Sequence, residues 1–364
     1  MKNPFLCVSE IDQTEYLSMR CSLNRAVLAK LPLYGVEDEI EGLTFKEIFS
    51  TPAIVAEIRR VSKRYGIDLS AEPDYLLPQF LDRALQSDNA RYRQMAEKVV
   101  KRFGSRLGLI LLTLKTGLPE NRAARDDWDD ACWAFWNSLE TVILTGGLAS
   151  SMLGRRFKEY ILTVFDAARV KPYRIMLFDN GTYIGVMGVA QRLMEDDTAS
   201  LVMDFGHTGV KRAVIRKAGG EIAEFSPQES LPSLHMKSRF DSEDEKRREA
   251  IELHRYIVKT IAKSYRVGLN DAPLSDTVLI SIANYTHNGI LNSVRGGYAK
   301  LSEIGSDYAR VLEDDLSGEL HRDIKVRLVH DSTASALYFA DVDNSVCITL
   351  GTGFGVGFPD IKIK

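Results

Sequence analysis

Three strand-like apolar segments that run into glycine turns constrain the fold of this chain most. They read LVMDFGHTGVKRAVI at residues 201–215, SVCITLGTGFGVGFP at residues 345–359 and VILTGGLAS at residues 142–150. Because glycine lacks a β-carbon, such turns let backbone N–H groups approach the oxygens of a phosphate. The three turns therefore predict an α/β fold that binds a nucleotide.

The order of the periodic segments after residue 200 predicts one complete α/β lobe. Three successive strands, two of them joined by a Gly219-Gly220 hairpin, precede a charged helix over residues 241–265. A strand, a helix, a strand and a helix then follow, over residues 276–284, 299–316, 324–331 and 332–340. This βββαβαβα order is typical of a sheet that is covered by helices.

The other segments complete a second lobe only if the chain is joined end to end. Two strands are predicted in residues 345–364. Residues 43–140 read mainly as helices, with Gly104 and Gly108 at a close helix contact, and residues 141–195 alternate strand and helix. The order 345–364 followed by 1–195 gives a second βββαβαβα lobe with a helical insertion, so we predict a circular permutation. Two unrelated halves are the alternative.

Composition excludes several classes of function. The chain has 364 residues, of which 45% are hydrophobic, enough for two domains with large cores. Its 47 Lys and Arg against 50 Asp and Glu give a formal charge of −3 and no electrostatic footprint for nucleic acid. No apolar run approaches the ~20 residues that span a bilayer, and the N-terminus lacks a signal-peptide core, so we expect a cytoplasmic protein. The four cysteines form no CxxC pair, which favours reduced thiols over a zinc site.

In the rotated order the motifs resemble those of the ROK-family sugar kinases, in the superfamily of hexokinase, Hsp70 and actin. The resemblance covers nearly the whole chain except residues 1–35. The family's two phosphate loops, DxGGTxxK and LGTGxGxG, are similar to residues 204–211 and 350–357. Its NDAxAA helix start is similar to residues 330–336. Its adenosine turn LGGG is similar to residues 144–147, and its closing GAA helix is similar to residues 185–190.

The resemblance implies an α/β fold of two actin-like (ribonuclease H-like) βββαβαβα lobes with a helical insertion, circularly permuted. Residues 1–195 plus 342–364 would form the ATP-binding lobe, which carries the insertion. Residues 196–341 would form the lobe with the first phosphate loop and the catalytic aspartate.

The same resemblance implies a site for ATP and Mg²⁺. Asp204 would bind Mg²⁺ directly or through water, because magnesium keeps several waters and takes one or two carboxylates. Asp331 would be the general base, with a helix cap as the alternative. The residues expected at the nucleotide are Gly206, Thr208, Lys211, Gly351, Thr352, Gly353, Gly146 and Gly147. Gly206 and Gly351 to Gly353 permit positive φ and let backbone N–H groups approach phosphate oxygens. For Lys211 a solvent-facing side chain is the equal alternative.

Departures from the family pattern concern the substrate. His330 replaces an asparagine that holds a sugar hydroxyl, and His207 replaces a glycine of the first phosphate loop. The family's cysteine-rich zinc motif and its GExGH segment are absent. We expect substrate contacts from His330, Asn284, Asn288 and Glu41, with His287 as a further candidate; an exposed first-turn carboxylate is the alternative for Glu41.

The predicted function is that of an ATP-dependent kinase that phosphorylates a hydroxyl of a sugar or sugar-like molecule. Its expected partner is this small-molecule substrate, without nucleic acid or membrane, and a homodimer is left open. The alternative is a nucleotide-binding sensor or an actin-like assembly ATPase. The fold alone does not distinguish the kinase from the alternative. The distinguishing observation is whether a small molecule accelerates ADP formation.

Overall fold

A computed structural model describes residues 2–9, 13–178, 181–294 and 296–363. The chain divides into two compact units. Unit 1 comprises Met1–Phe5, Met19–Thr182 and Asp343–Val356, and unit 2 comprises Leu6–Ser18, Tyr183–Val342 and Gly357–Lys364. Each unit is therefore assembled from three separate stretches of chain.

The described residues contain thirteen strands and eleven α-helices, besides short 3₁₀ turns. The strands are β1 (Leu6–Val8), β2 (Glu15–Leu17), β3 (Thr141–Thr145), β4 (Arg174–Leu177), β5 (Ala199–Phe205), β6 (Gly209–Ala218), β7 (Glu221–Pro232), β8 (Thr277–Ile282), β9 (Thr286–His287), β10 (Ile290–Leu291), β11 (Lys325–His330), β12 (Ser345–Leu350) and β13 (Phe354–Gly357). The helices are α1 (Phe45–Ile48), α2 (Thr51–Arg64), α3 (Leu77–Leu85), α4 (Ala90–Thr116), α5 (Pro119–Ala123), α6 (Asp130–Ser138), α7 (Ser151–Ala167), α8 (Ile184–Leu193), α9 (Glu243–Asp271), α10 (Tyr308–Leu320) and α11 (Asp331–Leu337).

Unit 2 is built on a five-stranded sheet in the order β11-β8-β5-β6-β7. Strands β5, β6 and β7 form an antiparallel meander, and β8 and β11 run parallel to β5. Apolar side chains of β5 alternate between two buried clusters, one shared with α9 and α10 and the other with α8 and α11. The predicted α/β class is confirmed, and unit 2 has the predicted βββαβαβα order, with the short β9–β10 hairpin added between β8 and α10.

Unit 1 contains a four-stranded sheet in the order β13-β12-β3-β4. Strand β12 pairs with β3 in parallel, and β3 is buried along its whole length, as is typical of a central parallel strand. The last strands of the chain thus share a sheet with Thr141–Thr145, as predicted. Strands β1 and β2 pair with each other outside this sheet, and Glu15 N of β2 donates to Lys362 O at 2.9 Å. The permutation itself stays an interpretation.

The helical insertion of unit 1 is held by a close contact between two helices. A β-carbon at Gly104 would lie 2.7 Å from Tyr160 Cβ, and one at Gly108 would lie 2.9 Å from Val164 Cβ. Helix α4 therefore approaches α7 at the two glycines that the sequence indicated. Trp133 of α6 is buried, as expected of a core residue.

The division of the chain differs from the predicted boundary between residues 195 and 196. The chain enters unit 2 at Tyr183, because helix α8 packs on α11 and on the sheet of unit 2. A β-carbon at Gly188 would lie 2.1 Å from the carbonyl oxygen of Ala334, so the two helices touch backbone to backbone. Helix α8 is thus a covering helix of unit 2.

One further difference concerns a helix. The single helix predicted over residues 299–316 is a 3₁₀ turn, Ala299–Glu303, followed by α10. The side chain of Asp307 accepts a hydrogen bond from Arg310 N and caps α10, so the helix starts there. Among the helices described, none is long and apolar enough to cross a membrane.

Candidate functional site

Asp204 lies in the central strand of unit 2, where neighbouring strands hold both of its carboxylate oxygens. In the registers of β5 with β8 and β6, Asp204 is opposite Ser281 on one side and Lys211 on the other. Ser281 Oγ donates to Oδ1 at 2.8 Å, and Lys211 Nζ donates to Oδ2 at 3.1 Å. The side chain points to the α8 and α11 face, because it alternates with Phe205 and Met203 of the other cluster.

Lys211 is the counter-ion of this carboxylate. The charge of Asp204 raises the pKa of Lys211, and the charge of Asp331 raises it further, although partial burial acts in the opposite direction. Lys211 therefore does not extend freely into solvent. Its contact with a phosphate stays a prediction.

Asp331 is the first residue of α11, and the N-cap position is taken by His330. Asp331 Oδ1 accepts hydrogen bonds from Ser332 N at 2.6 Å and Ser332 Oγ at 3.1 Å. Within the described part of the chain, Oδ2 has no partner, and the side chain is 36% exposed. One oxygen is thus fixed by the start of the helix, and the other can accept a proton.

His330 links Asp331 to the interior of unit 2. Its Nε2 lies 3.2 Å from Asp331 Oδ1, and its ring stacks on Tyr285 with centroids 4.4 Å apart. Burial lowers the pKa of His330, which favours the neutral ring. The contact of Nε2 with Asp331 is a close approach without hydrogen-bond geometry, and Nδ1 is buried without a hydrogen-bond partner among the described residues.

The first glycine turn closes tightly between β5 and β6. Gly206 N donates to Gly209 O at 3.1 Å, and Gly206 O accepts hydrogen bonds from Ser233 Oγ and Tyr298 Oη. His207 and Thr208 form the exposed tip. Gly206 does not have positive φ, and a β-carbon there would lie 3.1 Å from Gly209 O.

The second glycine turn, between β12 and β13, is held by neutral groups of unit 1. Gly351 N donates to Gly353 O at 3.1 Å, and Thr51 N donates to Gly351 O at 2.8 Å. A β-carbon at Gly353 would lie 2.5 Å from Asn24 Oδ1, whose amide pairs with the backbone of Phe354. Neither Gly351 nor Gly353 has positive φ, and at Gly351 a β-carbon would have nothing within 4 Å. Thr352 lies exposed at the tip of this turn.

The third glycine turn follows β3 and leads into α7. Gly146 has a φ of 89°, and a β-carbon there would lie 2.5 Å from Leu350 O, so the backbone requires glycine. Gly147 is exposed with nothing within 4 Å of the β-carbon position. Asp82 accepts from Leu153 N and Ser151 Oγ at the start of α7. The open position in this turn is therefore Gly147.

A groove of about 740 Å³ lies in unit 1 beside the first turns of α7. Tyr65 and Met152 contribute apolar surface to it, and Arg93, Lys98 and Lys101 contribute positive charge. Glu97 and Arg156 also line the groove and form an ion pair, so its lining carries charge of both signs.

Two motif glycines support helix α11 rather than a ligand. The β-carbon of a residue at Gly357 would lie 2.0 Å from Ser332 O, and at Gly188 it would lie 2.1 Å from Ala334 O. Helix α11, which begins with Asp331, is thus contacted through its backbone by both glycines. They act through packing on the position of Asp331.

The predicted substrate residues are not all available to a ligand. Asn284 donates to Asn292 O at 3.1 Å and accepts from Asn292 N at 2.9 Å, which closes the loop between them. Asn288 and Gly289, with φ of 47° and 79°, form the two-residue turn of the β9–β10 hairpin. Glu41 of unit 1 accepts from Leu31 N and Tyr34 Oη, and these bonds lower the pKa of its carboxyl.

One group of these residues does meet at a cavity. His330, His287 and Asn288 line a cavity of about 310 Å³ in unit 2, together with Thr286 and Tyr16. Asn284 and Glu41 do not line it. Sequence reasoning missed Thr286, Ser281 and Asn24. The Asn288-Gly289 pair was a usable signal for the hairpin that carries Thr286, whereas Ser281 becomes visible only through its register with Asp204.

Comparisons with known proteins add little to this geometry. No protein-family model matches the chain, and no curated protein does. Among solved structures, the ethanolamine utilization protein EutJ from Carboxydothermus hydrogenoformans is 15% identical with a TM-score of 0.33, over 64% of this chain and 75% of that one. A Ppx/GppA phosphatase from Aquifex aeolicus is 12% identical with a TM-score of 0.31, over 71% of this chain and 86% of that one. The PilM-PilN type IV pilus biogenesis complex is 15% identical with a TM-score of 0.27, over 50% of this chain and 49% of that one. At such TM-scores these likenesses carry no argument about function.

Proposed function

We propose that the protein is an ATP-dependent phosphotransferase that acts on a hydroxyl of a sugar-like small molecule. The observation that carries this proposal is the cluster of Asp204, Lys211 and Asp331 in unit 2. Two carboxylates share one lysine there, and the carboxylate of Asp331 keeps a free oxygen.

Asp331 has the geometry of a general base. Its Oδ1 is oriented by Ser332, which leaves Oδ2 to accept the proton of an acceptor hydroxyl. A positioned base is worth about 10²- to 10⁴-fold in rate. Helix α11 fixes the carboxylate because its first residues pack against the backbone at Gly357 and Gly188.

The glycine turns fit a phosphate chain. Gly147 and Gly351 leave free the space that a β-carbon would fill, so backbone N–H groups can approach phosphate oxygens there. Phosphoryl transfer depends mainly on such positioning and on neutralisation of charge.

Mg²⁺ also fits the residues present. Asp204 is an oxygen ligand held rigidly by Ser281, and a magnesium ion needs only one or two carboxylates besides water. Because Lys211 already binds Oδ2, contact of Asp204 with the ion through water suits this arrangement better than direct contact. The ion would neutralise phosphate charge, while Lys211 holds Asp204 in place.

The test is an ADP-release assay with ATP, Mg²⁺ and a panel of sugars and polyols. We expect at least one compound to stimulate release, and Asp331→Asn to reduce the stimulated rate about 10²- to 10⁴-fold. ATP-induced stabilisation should persist in this variant, because the amide oxygen can still accept from Ser332 N.

Two outcomes contradict the proposal. Full turnover of Asp331→Asn with an identified acceptor would reduce Asp331 to a residue that orients the start of α11. No stimulation of the wild-type protein by any hydroxyl compound would favour the sensor or assembly ATPase instead.

A further inference from the structure

The first glycine turn lacks one of the backbone bonds that normally close a two-residue hairpin. Gly206 N donates to Gly209 O at 3.1 Å, but no backbone N–H among the described residues donates to Gly206 O. None of the residues from Gly206 to Gly209 has the positive φ that the favoured two-residue turns require. The turn between β5 and β6 is therefore open at this carbonyl, and other groups must hold it.

Two side-chain hydroxyls take the place of the missing bond. Ser233 Oγ donates to Gly206 O at 2.7 Å, and Tyr298 Oη donates to the same oxygen at 2.9 Å. Tyr298 is 1% exposed, and burial raises the pKa of its hydroxyl, so the phenol keeps the proton that it donates. Because a carbonyl oxygen has two lone pairs, both are occupied.

These two bonds fix the direction of the next N–H group. No described peptide bond is cis, so the N–H of His207 points away from the carbonyl of Gly206 within one rigid plane. Tyr298 belongs to the buried cluster of Phe205, on the α9 face of the sheet, whereas the side chain of Asp204 points to the other face. The N–H of His207 is thus directed to the face that carries Asp204.

The tip of the turn is available to a ligand. His207 and Thr208 are exposed, and neither N–H has a partner in the part of the chain that the structure describes. Successive backbone N–H groups of this kind attract anions such as phosphate. Lys211, whose ammonium binds Asp204, supplies a positive charge on the same face.

Ser233 is itself anchored by the segment that follows β7. Its N–H donates to Thr208 O, with 3.4 Å between the two atoms. The buried ammonium of Lys300 donates to His235 O at 2.5 Å and to Lys237 O at 2.7 Å. The Ser233 hydroxyl therefore lies on a fixed segment, as a positioning role requires.

We propose that Ser233 and Tyr298 are positioning residues of the first glycine turn, which direct the N–H of His207 toward a phosphate of the bound nucleotide. Both act through the carbonyl of Gly206 rather than through contact with the ligand. The inference rests on the proposed function, because it takes ATP as the ligand of this turn. It adds two residues from outside the glycine motifs, one after β7 and one before the 3₁₀ turn Ala299–Glu303.

The experiment measures the affinity of the full chain for ATP and Mg²⁺ by calorimetry. Tyr298→Phe and Ser233→Ala should each weaken binding about 3- to 10-fold, the usual range for the loss of one hydrogen bond. The double variant should bind more weakly than either. Ser233→Thr keeps a hydroxyl and should bind within about twofold of the wild-type protein.

Tyr265→Phe is the matched control. Tyr265 is a fully buried tyrosine of the same cluster, and its Oη donates at 2.9 Å to Ser275 O, which is not part of the turn. This variant should lose about as much stability to denaturant as Tyr298→Phe and keep its affinity for ATP. Equal losses of affinity in the two variants would show an effect of fold stability alone and would overturn the proposal.

Hydrogen exchange of the Gly206 amide, measured without nucleotide, tests the turn independently of binding. This N–H makes the remaining bond of the turn, so it should exchange faster in Tyr298→Phe and Ser233→Ala than in the wild-type protein and Tyr265→Phe. Unchanged exchange in both variants would overturn the proposal. Should Tyr298→Phe fail to fold, Ser233→Ala at its half-buried position still decides the question.

Failure of the proposed function gives a different result. A wild-type protein that does not bind ATP would contradict the proposed function and this inference together. ATP binding of equal strength by the wild-type protein, Ser233→Ala and Tyr298→Phe would contradict this inference alone.

Discussion

The glycine turns of the two units differ in the chemistry that surrounds them. In unit 2 the turn at Gly206 lies between Asp204 and Lys211, which form an ion pair. In unit 1 the turn at Gly351 is bound by the backbone of Thr51, and the neighbouring Phe354 is bound by the amide of Asn24. Charged side chains therefore flank the turn of unit 2, and neutral backbone and amide groups flank the turn of unit 1.

The motif glycines also fall into two groups. Gly188, Gly353 and Gly357 lie against other protein atoms, whereas Gly147 and Gly351 face open space. A substitution in the first group damages the fold before it reports on a ligand. Only the second group tests nucleotide binding cleanly, and the following experiments use this distinction.

The largest effect is expected from the packed glycines. Gly357→Ala or Gly188→Ala places a methyl group about 2 Å from a backbone carbonyl oxygen and should cost about 3 kcal/mol of unfolding free energy. Gly351→Ala should stay within about 0.5 kcal/mol, because nothing lies within 4 Å. Denaturant unfolding measures the difference, and equal stability of all three variants would remove the distinction.

A smaller effect is expected at the ion pair of unit 2. Asp204→Asn leaves the ammonium of Lys211 without its carboxylate and should cost about 2 kcal/mol. In a double-mutant cycle, Asp204→Asn and Lys211→Met should couple, so that the double variant loses less than the sum of the two. Additive losses would show that the pair contributes no interaction energy.

The smallest effect concerns Lys300 of unit 2, a buried lysine without a bonded carboxylate. Its ammonium donates to His235 O and Lys237 O, and burial lowers the pKa of Lys300 to about 8. The unfolded chain binds this proton below about pH 10.5, and the folded protein binds it only below about pH 8, so stability rises with pH between the two values.

Comparison with Lys300→Met isolates this contribution. The stability of the wild-type protein relative to the variant should increase by about 1 kcal/mol from about pH 7.5 to about pH 9. The measurement is denaturant unfolding at both pH values. A difference in stability that does not change with pH would mean that folding does not lower the pKa of Lys300. The folded protein would then tolerate the buried charge of Lys300 as well as that of Lys211.

Local patterns predicted most of the fold. The strand Ala199–Phe205, the long helix Ala90–Thr116 and the contact at Gly104 follow from periodicity and residue size. The position of β1 and β2 did not follow, because pairing of short strands depends on tertiary partners. The sequence likewise did not show that helix α8 belongs to unit 2, because this depends on its packing against α11 at Gly188.

The site was less predictable than the fold. A strand that ends before a glycine turn indicated Asp204, but Ser281 and Lys211 are paired with it by strand register, which a single sequence does not show. Residue type alone permits positive φ at the turn glycines without requiring it, and close approach to Asn24 at Gly353 had no sequence signal. Asn288 has a local explanation in its hairpin turn.

Nucleotide-dependent stabilisation tests the central claim most directly. The melting temperature of the wild-type protein should rise with ATP and Mg²⁺, by the equivalent of about 2.7 kcal/mol at 100 times the dissociation constant. Gly147→Val and Gly351→Val should match the wild-type melting temperature without ligand, since a β-carbon there would have nothing within 4 Å, and should lose the ATP-induced rise. An undiminished rise in both variants would contradict the assignment of these turns to a nucleotide.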